Sequence, residues 1–377
     1  MFFTERFVSL SVYAAVLFAA CWLMKYAKKD QYRGVLACYL AVLCVFAFMY
    51  KPYVTSDLYR LRTYIAYWIN KPFKDAVKYA LRHSNQAWTM YAYFVSKLPG
   101  ENWLQTVSCF WTFGNLFYIV GGVIKASGLK REDRSLTLFW LMSVGAIFLH
   151  AVSGIRTMLG FSLVAFCFYR ETMEGKSVIR HLPLYAVAAL FHSASAVLVV
   201  SRLLFMLIES DSFKKTLFVA CVVALGAGGT ALFLRRNFRT VIKSARLYLI
   251  GGEYTYYWEI IIGLLEIARI ILVLYEYRKM AGGLRRKDGR AAAWKFTAIW
   301  TAVSLAALPF SYAVFRRYTM LCTVTGLPIM GMTLEKEREA GGGNRFAGAL
   351  WAISLVIAAI SLVRGDICGY KFFVLGS

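Results

Sequence analysis

Acidic residues are scarce in this chain, with 20 Asp and Glu against 44 Lys and Arg, and charge of either sign makes up only 17% of its 377 residues. A soluble domain carries about 25% charged and about 45–50% apolar residues. Here 59% are hydrophobic and mean hydropathy is +0.55, which excludes an ordinary water-soluble globular domain. Proline is also sparse, and none of the eight cysteines forms a C-x-x-C pair, so no zinc ribbon or thioredoxin-like motif is present. No nucleotide fingerprint stands either. The cluster Gly226, Gly228 and Gly229 lies inside an apolar run with no strand before it, and small residues there suit close helix contact. The first apolar run, Phe7–Tyr26, exceeds a signal-peptide core and lacks a small-residue cleavage site, so it is expected to persist as a first helix.

What the chain has in abundance is long apolar runs separated by short charged connectors. They are placed at 7–26, 34–50, 103–123, 135–152, 155–170, 183–200, 215–234, 257–276, 294–311, 317–333 and 346–363. Only helices and closed barrels satisfy their backbones in lipid, and runs of this length are helical. The expected architecture is all-α: one polytopic membrane domain over 1–377 with about eleven spans. The connector 278–295 holds seven basic residues against Asp288 alone, the strongest cytoplasmic signal. With it and the basic connectors 25–33, 125–134 and 170–181 inside, the N-terminus and the loops 51–102 and 235–256 fall outside. Parity then requires 183–212 to enter and return, as a re-entrant or broken segment turning near His192.

Both external loops are themselves basic, which is disfavoured on the translocated side. Loop 51–102 contains Asp57 and Arg60, and loop 235–256 contains Arg239 and Arg246. Arginine grips phosphate with a planar fork, so an anionic ligand at the outer face is one reading and anionic headgroups are the other. The aromatics of loop 51–102 suit either a sugar cleft or an interfacial belt. Polar residues at membrane depth are costly. Arg156 opens one span, His192 lies within another, and Arg316, Arg317 and Tyr318 open the penultimate one. Glu266 and Arg269, three apart on one helix, are expected to pair with each other.

The ordered set Asp57-Leu-Tyr-Arg60, Gly154-Ile-Arg156, His192-Ser-Ala-Ser195 and Arg317-Tyr318 resembles the EpsG family, related to Wzy-type polymerases of bacterial exopolysaccharide, capsule and O-antigen. The resemblance implies a GT-C-like membrane glycosyltransferase in the bacterial cytoplasmic membrane. Donor and acceptor would be glycans on polyprenyl pyrophosphate, met at the outer face, with a chain-length regulator as an accessory partner. No metal, cofactor or nucleic acid is implied. Catalysis would fall to Arg156, with Asp57 or His192 as base, and pyrophosphate or glycan binding to Arg60, Arg239, Arg246, Arg316, Arg317 and Tyr318. A transporter or flippase of lipid-linked sugars would use the same basic residues and favour an inverted repeat. A membrane O-acyltransferase built on His192 is the third class.

Overall fold

A computed structural model describes residues 2–28, 31–52, 56–83, 85–144, 147–209, 257–280, 289–309, 311–341 and 345–364. The expected run 215–234, with its glycine cluster, and the loop arginines Arg239 and Arg246 lie outside the described residues. Among those residues the regular structure is helical throughout, in 15 α-helices and one 3-10 turn. We number the helices α1 (Phe2–Tyr26), α2 (Tyr32–Met49), α3 (Asp57–Ala66), α4 (Phe73–Arg82), α5 (Gln86–Val95), α6 (Trp103–Ala126), α7 (Arg131–Met142), α8 (Ile147–Val152), α9 (Ile155–Thr172), α10 (Leu182–Phe191), α11 (Ser193–Glu209), α12 (Tyr257–Met280), α13 (Gly289–Ala307), α14 (Tyr312–Glu339) and α15 (Arg345–Arg364). Four segments, Val8–Tyr26, Tyr32–Met49, Trp103–Ala126 and Arg345–Leu362, are long and apolar enough to cross a membrane.

The axis of the bundle is α14, 28 residues and therefore about 42 Å long. Ser311 caps its start by accepting a hydrogen bond from the Val314 amide, which satisfies one of the orphan donors at a helix N-terminus. It packs on α6, α7, α9, α12 and α13. Pro328 sits inside it and cannot donate to the preceding turn; nearby, the Thr323 carbonyl accepts from Trp140 Nε1 at 3.0 Å. Small residues permit the closest helix approaches: Gly263 of α12 lies against the Phe315 ring, and Gly122 of α6 against Tyr169. A side chain at either position would force the helices apart.

The run expected as one span at 135–152 is broken: α7 ends at Met142 and α8 begins at Ile147. Ser143, at the break, donates to the Trp140 carbonyl and accepts from Arg269. The run 183–212 is also not one straight helix. His192 is extended (φ −158°, ψ 143°) between α10 and α11. Glu171, near the end of α9, pairs with Arg202 of α11 at 3.1 Å and faces His181, just before α10, at 3.4 Å. Ten residues of α10 rise about 15 Å to His192, and the ten from Ser193 to Arg202 come back by about the same. The two helices are therefore an antiparallel hairpin with His192 at its tip.

Segment 51–102 folds into three short helices around an aromatic core. Trp68, 1% exposed, has the rings of Tyr64, Tyr79 and Tyr93 at 6.0, 5.3 and 6.5 Å. Several of its cations hold this cap together. Lys97 Nζ donates to the carbonyls of Trp68, Ile69 and Lys71. Arg62 donates to the Tyr50 carbonyl and to Asn102. Burial pulls its guanidinium below the usual value while Glu101 and Tyr50 oppose the shift. The basic excess of this segment is thus partly structural.

Candidate functional site

Five separate segments meet at one end of the bundle. Arg156 is in the first turn of α9, half-buried, with its guanidinium 5.9 Å from the Trp88 ring of α5. The hairpin tip arrives from the other side, where Phe191 meets Tyr91 of α5 at 5.8 Å. Tyr91 in turn shares a 2.6 Å hydrogen bond with Ser108 of α6. The start of α14 brings Arg316, Arg317 and Tyr318, and α8 brings His150. His192 lies within electrostatic range of both Arg317 and Arg156. His150 lies within range of Arg316 and Arg317. Arg317 is therefore common to both histidines.

The hairpin is seated by a glycine. A Cβ on Gly160 would collide with Ser195 of α11 and come within 3.1 Å of the Ala188 carbonyl of α10. A second glycine shapes the Arg156 turn. At Gly154, the N-cap of α9, a Cβ would sit 3.1 Å from the His150 carbonyl and 3.2 Å from its Nδ1. His150 thus packs against the first turn of α9 at a position with no side chain.

The two histidines are equipped differently. His192 Nδ1 accepts a 3.1 Å hydrogen bond from the Ala194 amide. That bond assigns the neutral ring's proton to Nε2, leaving His192 a donor towards any ligand. In that tautomer the nitrogen left for a ligand is a donor, whereas the base role expected for His192 uses an acceptor. His150, which the sequence reading passed over as part of an apolar run, is half-buried, and its ring makes no hydrogen bond among the described residues.

The remaining sequence candidates divide. Arg316, 7% exposed, forms a buried ion pair with Glu266 of α12, which ties α14 to α12 and neutralises that cation. Glu266 was expected to pair with Arg269. Instead Arg269 Nη1 donates to Ser143 at 2.7 Å and Ser354 at 3.0 Å, with its guanidinium 4.3 Å from the Trp140 ring. Tyr318 is packed between the rings of Phe161 (6.0 Å) and Trp300 (4.6 Å), so it positions the start of α14. Asp57 and Arg60 pair with each other at 2.6 Å on the surface of α3, with 59% and 72% of their side chains exposed. Among the described residues, their contact is with each other rather than with the Arg156 group.

No protein-family model matches the chain, and no curated protein is significantly similar to it.

Proposed function

We propose that this protein is a membrane glycosyltransferase that polymerises a cell-surface polysaccharide from polyprenyl-pyrophosphate-linked repeats. The observation that carries the reading is the gathering of His150 and Arg156, on the adjoining helices α8 and α9, with His192 and Arg317 from two stretches distant in sequence. Cations and imidazoles at membrane depth are costly to keep, and this combination matches what the reaction needs. The four-motif resemblance to the EpsG family supports the same conclusion. In this reading about eleven helices span the bacterial cytoplasmic membrane, the N-terminus and 51–102 are external, and the site opens outward.

The chemistry follows from charge. An acceptor hydroxyl of one lipid-linked glycan attacks the anomeric carbon of a second, and the bond from that carbon to the pyrophosphate oxygen breaks. Charge accumulates on the departing pyrophosphate. Arg156 and Arg317 stabilise it there, and His192 donates from Nε2; such preorganised donors are the largest single contribution in many enzymes. His150 receives the acceptor hydroxyl's proton. Arg316, already matched by Glu266, keeps α14 in register.

The end of α7 at Met142 within an apolar run and the interruption at His192 favour a second reading, transport of lipid-linked sugars, since broken helices recur in transporter sites. One experiment separates the two. Purified protein in vesicles is given a polyprenyl-pyrophosphate-linked oligosaccharide on the outer leaflet. Polymerase activity yields longer lipid-linked glycan and one free polyprenyl pyrophosphate per new linkage. Movement of unextended glycan to the inner leaflet would establish the transporter and overturn the polymerase.

A further inference from the structure

The opposite end of the bundle holds a cavity of about 1130 Å³ between the start of α2, the α6–α7 turn, the end of α14 and the start of α15. Arg317 and Arg338 stand 21 residues apart on α14, so the cavity is about 30 Å from the Arg156 group. Its turn is rigidly built. Gly128 adopts φ +52°, and the Leu129 amide bonds back to the Ile124 carbonyl at 3.3 Å, the Schellman closure of a helix C-terminus.

The charges lining it sort into two groups. Arg338 is ion-paired with Asp133. Arg134 donates to the Leu129 and Ala27 carbonyls at 3.0 and 3.1 Å. Glu337 accepts from the Phe346 amide at 3.1 Å, at the start of α15. These groups build the walls. Arg33, Lys125, Lys130 and Arg131 remain, all exposed side chains on the lining, against Glu132 alone. Glu132 sits in the first turn of α7, where a carboxylate is stabilised by the helix dipole. Topology-setting charge needs only to be on the correct side of the membrane; it does not need a cavity whose walls are held by a separate ion pair and by hydrogen bonds to the backbone.

We infer that this cavity is a binding site for a phosphate-bearing anion, distinct from the site around Arg156 and independent of the function proposed for it. Its volume far exceeds that of inorganic phosphate and suits a headgroup or a pyrophosphate-bearing molecule. Base recognition is not provided for. Tyr32 is the aromatic ring on the lining, it is buried, and the guanidiniums of Arg33 and Arg134 already lie 6.0 and 5.9 Å from its centroid. What remains is phosphate recognition by Arg and Lys beside apolar walls at Leu129 and Leu334. An anionic phospholipid and a soluble pyrophosphate share that chemistry.

The test uses the full chain in phosphatidylcholine nanodiscs, as wild type, as the triple variant Lys125→Gln, Lys130→Gln, Arg131→Gln, and as a control with Lys74→Gln and Lys78→Gln on α4. One arm adds a small fraction of phosphatidylglycerol and counts retained anionic lipid by native mass spectrometry. The other titrates inorganic pyrophosphate into discs without anionic lipid. Wild type and control bind in at least one arm, and the triple variant binds about tenfold or more weakly there, as expected for losing charge-assisted contacts. The arm that responds identifies the source of the phosphate. Equal behaviour of wild type and triple variant in both arms overturns the site, as does an equal loss in the α4 control, which would mark a nonspecific charge effect. Circular dichroism and detergent melting of the triple variant distinguish lost binding from lost fold, and a folded variant that binds normally is again contrary.

Discussion

His150 and His192 both lie within electrostatic range of Arg317, yet their ring nitrogens are disposed for opposite uses. His192 spends Nδ1 on the Ala194 amide, while the His150 ring keeps a nitrogen able to accept. Replacing His150 by Gln removes the proton acceptor and is expected to slow chain extension by about 10²–10⁴, the usual range for a general base. His192→Asn retains an acceptor for the Ala194 amide and an N–H donor, and is expected to slow it less than about tenfold. Single-turnover extension rates at matched protein levels decide; the reverse ranking would return the base role to His192. The sequence shows His192 readily, because it interrupts an apolar run beside small residues. It hides His150, because the division between α7 and α8 leaves no trace in hydropathy and the residue looks like the interior of one long span. The Glu266–Arg316 pair is hidden for another reason. Arg269 offers the nearer partner along the helix, and only packing of α12 against α14 supplies the better one.

At the scale of elements, the hairpin α10–α11 is legible in part. Charge parity requires a return near 183–212, and the Glu171–Arg202 and Glu171–His181 contacts show one. What seats the hairpin is not legible, since nothing in one sequence distinguishes Gly160 from other glycines of apolar runs. Its role follows from the collision a Cβ would make with Ser195. Gly160→Val is therefore expected to displace the hairpin tip, at about 1–3 kcal/mol for overpacking, and to lower extension while Gly114→Val, at a position with open space around it, leaves it unchanged. Thermal melting in detergent and extension assays on both variants check this; equal activity of the two would show that the hairpin does not position the site. Segment 51–102 teaches a complementary point. Its aromatics and cations are visible in the sequence, but their division between ligand and scaffold is set by contacts such as Lys97 with three carbonyls.

At the scale of the whole molecule, the helical class and the four strongest membrane segments follow from composition and run length alone. The bundle axis α14 is visible in the sequence as the run 317–333, but it extends beyond that run at both ends, through Arg316 at one and Lys336 and Arg338 at the other. Those same charges mark the two ends of the molecule: the arginine and histidine group at one, and the basic cavity beside Asp133 at the other. In the proposed function, Arg156 and Arg317 act on pyrophosphate as bidentate forks. Lysine supplies the charge without the fork, whereas a side chain that merely reaches lipid phosphates can be replaced by lysine freely. The measurement is the length distribution of extracted glycan on a gel from cells expressing Arg156→Lys, Arg317→Lys and the two alanine variants at equal protein level. The account predicts that each alanine variant loses long polymer and accumulates the single-repeat lipid intermediate, a rate loss of about 10²–10³, and that lysine restores little of it. Normal polymer length in both lysine variants would contradict it.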